Sequence, residues 1–359
     1  MHVALLANTA WLDEELATLK HLVVGLLDEQ IRVTEVVPER LSVEETGDLI
    51  ERIAWNESRW PTLNHERVIR LQERLRMLDV DLLHAMDGRL WRSTASLAER
   101  MNLPAVFSAS SYLDMRPAKL LAKRINPQRV AFTAATEPIA QGLREHLGTN
   151  ILVQTIGHGV YPTTGRTDAF TSKSLCAIVA GNGVLDANYQ SLLEGIVDFL
   201  AIQSEAQFFF DGQDSDQHQL WKAASRLGLL ANLSLIPRRL GHRELLLRAD
   251  VLIQPQALGK ARSLTLMAMA HGLPILAHED YWLDYLIDNQ TAWLVTHPTA
   301  ETWARSLQRV VNDKSQANEL GQRARKWVIA QHSASKQVRG VLDTYRRLTG
   351  KTLKFPGDQ

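Results

Sequence analysis

Ala268-Met269-Ala270-His271-Gly272-Leu273-Pro274-Ile275-Leu276-Ala277 holds a helix end and a strand start side by side. Gly272 supplies the backbone freedom that closes a helix. Pro274 has no N–H to continue one, and the apolar Ile275-Leu276-Ala277 opens a strand. The unit is therefore helix, tight turn, buried strand.

The same alternation extends in both directions. Short apolar runs predict strands at 2–7, 31–37, 81–85, 105–109, 130–134 and 151–155. A second series lies at 175–180, 207–211, 233–236, 251–253, 274–277 and 292–295. Helical periodicity is read at 12–27, 94–101 and 137–147, in a polar Glu- and Arg-rich region from about 43 to 77, and at 299–311, 315–331 and 333–348. Strands alternating with helices predict doubly wound parallel sheets. Turn-formers gather from Gly157 to Ser174, so the expected division is a domain over 1–165, joined by the helix 333–348, and a second over 170–331. The tail beyond Lys351 shows no periodicity.

At 359 residues, 45% of them apolar, the chain is long enough for two cores. Lys+Arg and Asp+Glu each number 40, a balance that argues against a nucleic-acid binder. The single cysteine, Cys176, excludes an internal disulfide and a Cys-rich metal site and fits a cytoplasmic location. The N-terminal stretch reads as a strand and not as a signal peptide. No apolar run approaches the ~18 residues of a membrane span, which leaves peripheral contact through a basic amphipathic surface as the membrane option.

The opening stretch closely resembles the "EAMAxGxPVIA" segment of the group 1 (family 4) nucleotide-sugar glycosyltransferases. Further matches run in order along the chain. Asp79-Val80-Asp81 through His84-Ala85 is similar to "PDVVHAH", and Leu103-Pro104-Ala105-Val106 to "GIPVV". Thr136-Glu137 with Ala140 and Leu143 resembles "SEALAEXL", and Ile156-Gly157-His158-Gly159-Val160 resembles "IPNGVD". Phe210-Asp211-Gly212 is similar to "VGDG", and Glu244 through Ile253 to "EELXXLYAXADVFV". Asp288, Thr291, Leu294 and Val295 fit "EDGXTGLLV". The resemblance implies the GT-B fold: two Rossmann-like α/β domains facing across a crevice. It also implies transfer of a sugar from a nucleotide-diphosphate donor to a glycan or small-molecule acceptor with retention of configuration. No cofactor beyond the donor and no metal is implied.

The family's charged positions are replaced. Where it has an Arg and a Lys after the first strand of the second domain, this chain has Asn182 and Ala187. Gly259 and Met267 stand at its two glutamates, and Ser110 at its histidine. Its early glycine pair is replaced around Ala10-Trp11, and the later one by Asp280-Tyr281. A departing diphosphate gathers negative charge and needs cationic or N–H partners. Lys260 and Arg262, just before a helix starting near Ser263, are candidates for that role. They read equally as solvated loop charges. Gly181 and Gly183 form a GxG after a strand, which suits a phosphate-approaching loop better than a dinucleotide fingerprint. Arg238, within a basic stretch reaching Arg248, stands where the family approaches the nucleotide base, and a solvated face is its plainer reading. On the acceptor side the candidates are Trp11, His84 and Asp87. His84 also reads as a bonded strand-end histidine, and Asp87 before Gly88 as a turn former.

Two functions follow from these residues. One is a retaining glycosyltransferase of group 1 type. The other is a catalytically degenerate GT-B protein that binds a nucleotide, glycan or protein partner without turnover.

Overall fold

The computed structural model describes residues 1–38, 50–55, 61–161, 174–181, 184–212, 218–237 and 242–350. The chain divides into two compact units. One comprises Met1–Gly159, Gly259–Ala261 and Ala334–Gln359, and the other Val160–Leu258 and Arg262–Ser333.

The first unit is built on seven parallel strands: β1 (His2–Leu6), β2 (Arg32–Val37), β3 (Glu51–Ala54), β4 (Leu82–Ala85), β5 (Ala105–Ala109), β6 (Val130–Ala134) and β7 (Leu152–Thr155), ordered β3-β2-β1-β4-β5-β6-β7. The central strands are apolar on both faces because helices cover both sides. These helices are α1 (Thr9–Asp28), α2 (Pro61–Met77), α3 (Trp91–Met101), α4 (Met115–Ala122) and α5 (Glu137–Leu147).

The second unit has six parallel strands: β8 (Cys176–Val179), β9 (Gln207–Gly212), β10 (Leu233–Pro237), β11 (Val251–Gln254), β12 (Ile275–His278) and β13 (Trp293–Val295), ordered β10-β9-β8-β11-β12-β13. Its helices are α6 (Ala187–Leu200), α7 (His218–Arg226), α8 (His242–Arg248), α9 (Ser263–Ala270), α10 (Ala300–Asn312) and α11 (Lys314–Gln331). Phe199, Phe208, Phe210, Tyr189 and Trp303 fill its core. The last helix, α12 (Ala334–Thr349), belongs to the first unit and packs on α1. A Cβ at Gly25 would come within 2.3 Å of Val338, so glycine is what lets those two helices meet.

Two elements differ from the sequence reading. The polar region expected to be helical from about 43 to 77 contains a strand, β3, before its helix. Residues 39–49 and 56–60 of that region lie outside the described residues. The strand Glu51-Arg52-Ile53-Ala54 buries only Ile53 and ties itself to β2 with an Arg52–Glu35 ion pair of 3.0 Å, so its pairing is electrostatic as much as apolar. Helix α4 falls where no element was assigned. It exposes Leu120, which blurs the apolar period that reveals a helix.

The stretch at 268–277 forms as its residues dictate. Gly272 adopts φ +79° after α9, and the Leu273 N–H returns to the Ala268 carbonyl at 3.0 Å. Arg325 Nε donates to the Ala270 carbonyl at 3.1 Å, closing the helix end. Helix α11 lies against this turn at Gly321, where a Cβ would meet the Gly272 carbonyl oxygen at 2.0 Å. Gly321→Ala must therefore push backbone against backbone. The expected loss is ~1–3 kcal/mol in chemical denaturation, and an unchanged midpoint would contradict the close approach.

Candidate functional site

In open parallel sheets ligands bind beyond the carboxyl ends of strands, where the strand order reverses. In the second unit that point lies between β8 and β11. The backbone leaves β8 at Ala180-Gly181. A Cβ on Gly181 would overlap the Tyr189 hydroxyl, which lies beneath it, so only glycine fits. Arg262 reaches the same place from the start of α9. Its side chain is buried, the residue being 4% exposed, and Nη1 donates to the Gly181 carbonyl at 2.9 Å. Arg262 is itself the N-cap of α9, with no side-chain cap bond, and Ser263, also buried, is the first helical residue. An N-cap is ordinarily Ser, Thr, Asp or Asn, and a cation there opposes the helix dipole.

Around it lies a polar lattice. Gln256 Nε2 donates to Asp186 Oδ2 at 2.7 Å, and Thr265 Oγ1 donates to Gln254 Oε1 at 2.8 Å. Asp186 caps α6 by accepting from the Tyr189 N–H, so the N-terminus of α6 already carries a carboxylate. Ala187, the next residue, is exposed. Asp186 was not singled out as a cap in the sequence, yet an aspartate directly ahead of Ala187 and a helical run is a capping signal. Met267 is half-buried on α9. Asn182, Gly183 and Arg238 lie outside the described residues.

The first unit has its own reversal between β1 and β4. Asn8 caps α1 and donates through Nδ2 to Asp87 Oδ1 at 2.8 Å. Asp87 also accepts from the Arg89 N–H, as a turn former does. Trp11 is buried in α1. Ser110 and Ser111 both donate their N–H groups to Asp114 Oδ2 at 3.0 Å. Burial first, then the neighbouring Asp87 charge, pushes the Asp114 carboxyl up to about 7. The segment Gly259–Ala261 belongs to this unit. Tyr112 N–H donates to the Gly259 carbonyl and Ala261 N–H to the Ser110 carbonyl, each at 2.8 Å. Gly259 holds φ +55°, a left-handed turn that disfavours a side chain. Lys260 forms an ion pair with Glu14.

His84 sits inside the first unit at 1% exposure. Its Nδ1 meets the Tyr345 hydroxyl at 2.6 Å and its Nε2 the Ser108 hydroxyl at 2.7 Å, which in turn meets Thr133 at 2.7 Å. This chain borders a cavity of about 20 Å³, room for about one water. Glu15, where α1 departs from helical geometry, accepts from Thr18 and lies 3.2 Å from His158. Among the described residues no group of three or more His, Cys, Asp or Glu is placed to hold a metal ion, and no helix is long and apolar enough to cross a membrane.

The family model described as Glycosyl transferases group 1 matches residues 167–327, the stretch that carries β8 through β13. Over those residues the chain is similar to the group 1 glycosyl transferases. The whole fold is GT-B. A glycosyltransferase from Rickettsia africae aligns with 98% of this chain and 99% of its own, at 14% identity and TM-score 0.76. Anabaena HepE, solved with UDP and glucose, covers 96% of this chain and 98% of its own, at 13% identity and TM-score 0.77. A sucrose-phosphate synthase from Thermosynechococcus elongatus covers 98% and 100%, at 14% identity and TM-score 0.76. No curated protein matches the sequence. Against this glycosyl transferase frame, the residues brought together in the second unit are Gly181, Arg262 and Ser263.

Burial holds the His84 ring neutral, with its proton affinity pushed down from 6.5 to about 3. The unfolded chain takes up that proton near pH 6.5 and the folded chain does not until about 3. Its contribution is thus full above pH 6.5 and is lost as pH falls, at up to ~1.4 kcal/mol per pH unit. The stability advantage of the native chain over His84→Gln should shrink between pH 7 and 4. A gap that stays constant across that range contradicts the buried neutral ring.

Proposed function

We propose that this protein is a retaining glycosyltransferase whose nucleoside-diphosphate sugar binds at the carboxyl ends of β8 and β11. The carrying observation is Arg262, a buried cation standing as the N-cap of α9 against the Gly181 carbonyl. A guanidinium and a helix N-terminus both raise the local positive potential, and a diphosphate is the anion that matches them. HepE, a structural neighbour, was solved with UDP and glucose, which supports a uridine nucleotide as the first donor to try.

In the proposed reaction the bond between the anomeric carbon and the diphosphate oxygen breaks. The acceptor hydroxyl forms its bond on the same face, and its proton leaves with the diphosphate. Negative charge accumulates on the departing oxygen, and Arg262 with the α9 backbone stabilises it there. The capped N-terminus of α6 carries Asp186 and disfavours the same anion. Lys260, in the first unit, is paired with Glu14 and takes no part in this proposed site. Asp87 and Trp11 stay candidates for the acceptor side, together with the Ser110 turn. His84 acts beneath them by fixing β4 to β5 and α12 through its hydroxyl partners.

A panel of nucleoside-diphosphate sugars incubated with the protein should release free nucleoside diphosphate from at least one donor. Arg262→Ala should lower that rate ~10²–10³-fold. Donor-dependent thermal stabilisation without any release would instead favour the binding protein that does not turn over. Release unaffected by Arg262→Ala would remove Arg262 from the reaction.

A further inference from the structure

One exposed stripe on the first unit is used by neither the nucleotide edge nor the core. Positions 112, 113, 116, 119, 120, 123 and 124 recur at three- and four-residue spacing through α4 and the turns on either side of it, and all seven are exposed. They are Tyr112, Leu113, Arg116, Lys119, Leu120, Lys123 and Arg124. The opposite face of α4 buries Met115, Ala118 and Leu121 in the unit. Leu113 is 63% exposed and Leu120 62%, unusually open for leucine on a folded domain. The stripe has four cations and no acid. Asp114, the carboxylate within this span, turns inward to the Ser110 and Ser111 N–H groups.

The positive field continues past the helix. A groove of about 510 Å³ beside α4 carries Arg92, Arg124 and Arg129 around apolar Leu103 and Leu121, with Glu99 as its acid. Arg129 is held there by bonds to Asn102.

We propose that this face docks the protein onto the surface of an anionic phospholipid bilayer. A helix lying in a membrane interface needs leucine or aromatic side chains to enter the acyl boundary and long cations beside them whose heads reach the phosphates. Leu113, Leu120 and Tyr112 supply the first, and Arg116, Lys119, Lys123 and Arg124 the second. A protein partner of the same charge complementarity would present an acidic surface. Leucines set between cations along α4 and the turn before it, with no acid among them, fit a fluid, uniformly anionic plane better. With only two leucines, adhesion depends on charge, so it is reversible and salt-sensitive. Adhesion through this face is independent of sugar transfer at the second unit.

The test is sedimentation of the full chain with sucrose-loaded vesicles. One set is phosphatidylcholine alone, and the other contains phosphatidylglycerol as about one-third of its lipid. The native chain should pellet with the second set, stay in solution with the first, and be released by high salt. The triple variant Arg116→Glu, Lys119→Glu, Lys123→Glu should partition ~100-fold more weakly or less. Leu113→Ser with Leu120→Ser should weaken adhesion while leaving its dependence on phosphatidylglycerol. All these side chains are exposed, so unfolding midpoints should match the native chain. If the triple variant does not fold, Lys119→Gln with Lys123→Gln gives the same direction at smaller size. A native chain that ignores phosphatidylglycerol vesicles, binds both compositions equally, or binds as well after charge reversal overturns the proposal.

Discussion

A guanidinium fixed at the start of a helix is the constraint around which the carboxyl edge of the second sheet is built. Arg262 occupies a position that helices reserve for small hydrogen-bonding side chains, and it does so buried. The Gly181 carbonyl offers it one bond, and Gly181 can come that close because the Tyr189 hydroxyl lies where a Cβ would be. Strand β8, helix α6 and helix α9 thus meet at one point through three residue choices. An arginine there is poorly suited to capping and well suited to holding an anion.

The two sheets share a winding, and their carboxyl edges differ in character. The second places a buried cation, uncharged amides and the capping Asp186 at its edge, with Glu279 and Asp280 following β12 beside His278. The first places carboxylates at its edge, Asp87 and Asp114 among them. Beneath them runs a neutral chain from Tyr345 through His84 and Ser108 to Thr133. That chain links α12 to β4, β5 and β6 by hydrogen bonds inside the unit. A protonated His84 would place a charge where burial leaves no room for one, which is why its ring stays neutral at ordinary pH.

Much of this was legible in the sequence, and the gaps have physical causes. The run at 268–277 announces its turn because Gly272 and Pro274 each do one thing the backbone needs there. Buried strands such as Val251–Gln254 read clearly because both faces are apolar. Strand β3 did not, since an edge strand held partly by Arg52 and Glu35 looks like a charged helix. Helix α4 hid because its outer face carries Leu120, an apolar residue that a solvent-facing helix does not need. The partners of His84 come from residues as distant as Tyr345, which no local pattern connects. Lys260 and Arg262 looked like a pair by spacing. The structure gives Lys260 to Glu14 and Arg262 to Gly181.

Calorimetric titration of a uridine nucleotide series compares the diphosphate with the bare nucleoside, in the native chain and in Arg262→Lys and Arg262→Ala. If a diphosphate rests on Arg262 and the start of α9, affinity rises steeply from nucleoside to diphosphate. That gain falls in the lysine variant and nearly vanishes in the alanine variant. A nucleoside that binds as tightly as its diphosphate, or a diphosphate gain untouched by either substitution, contradicts the account.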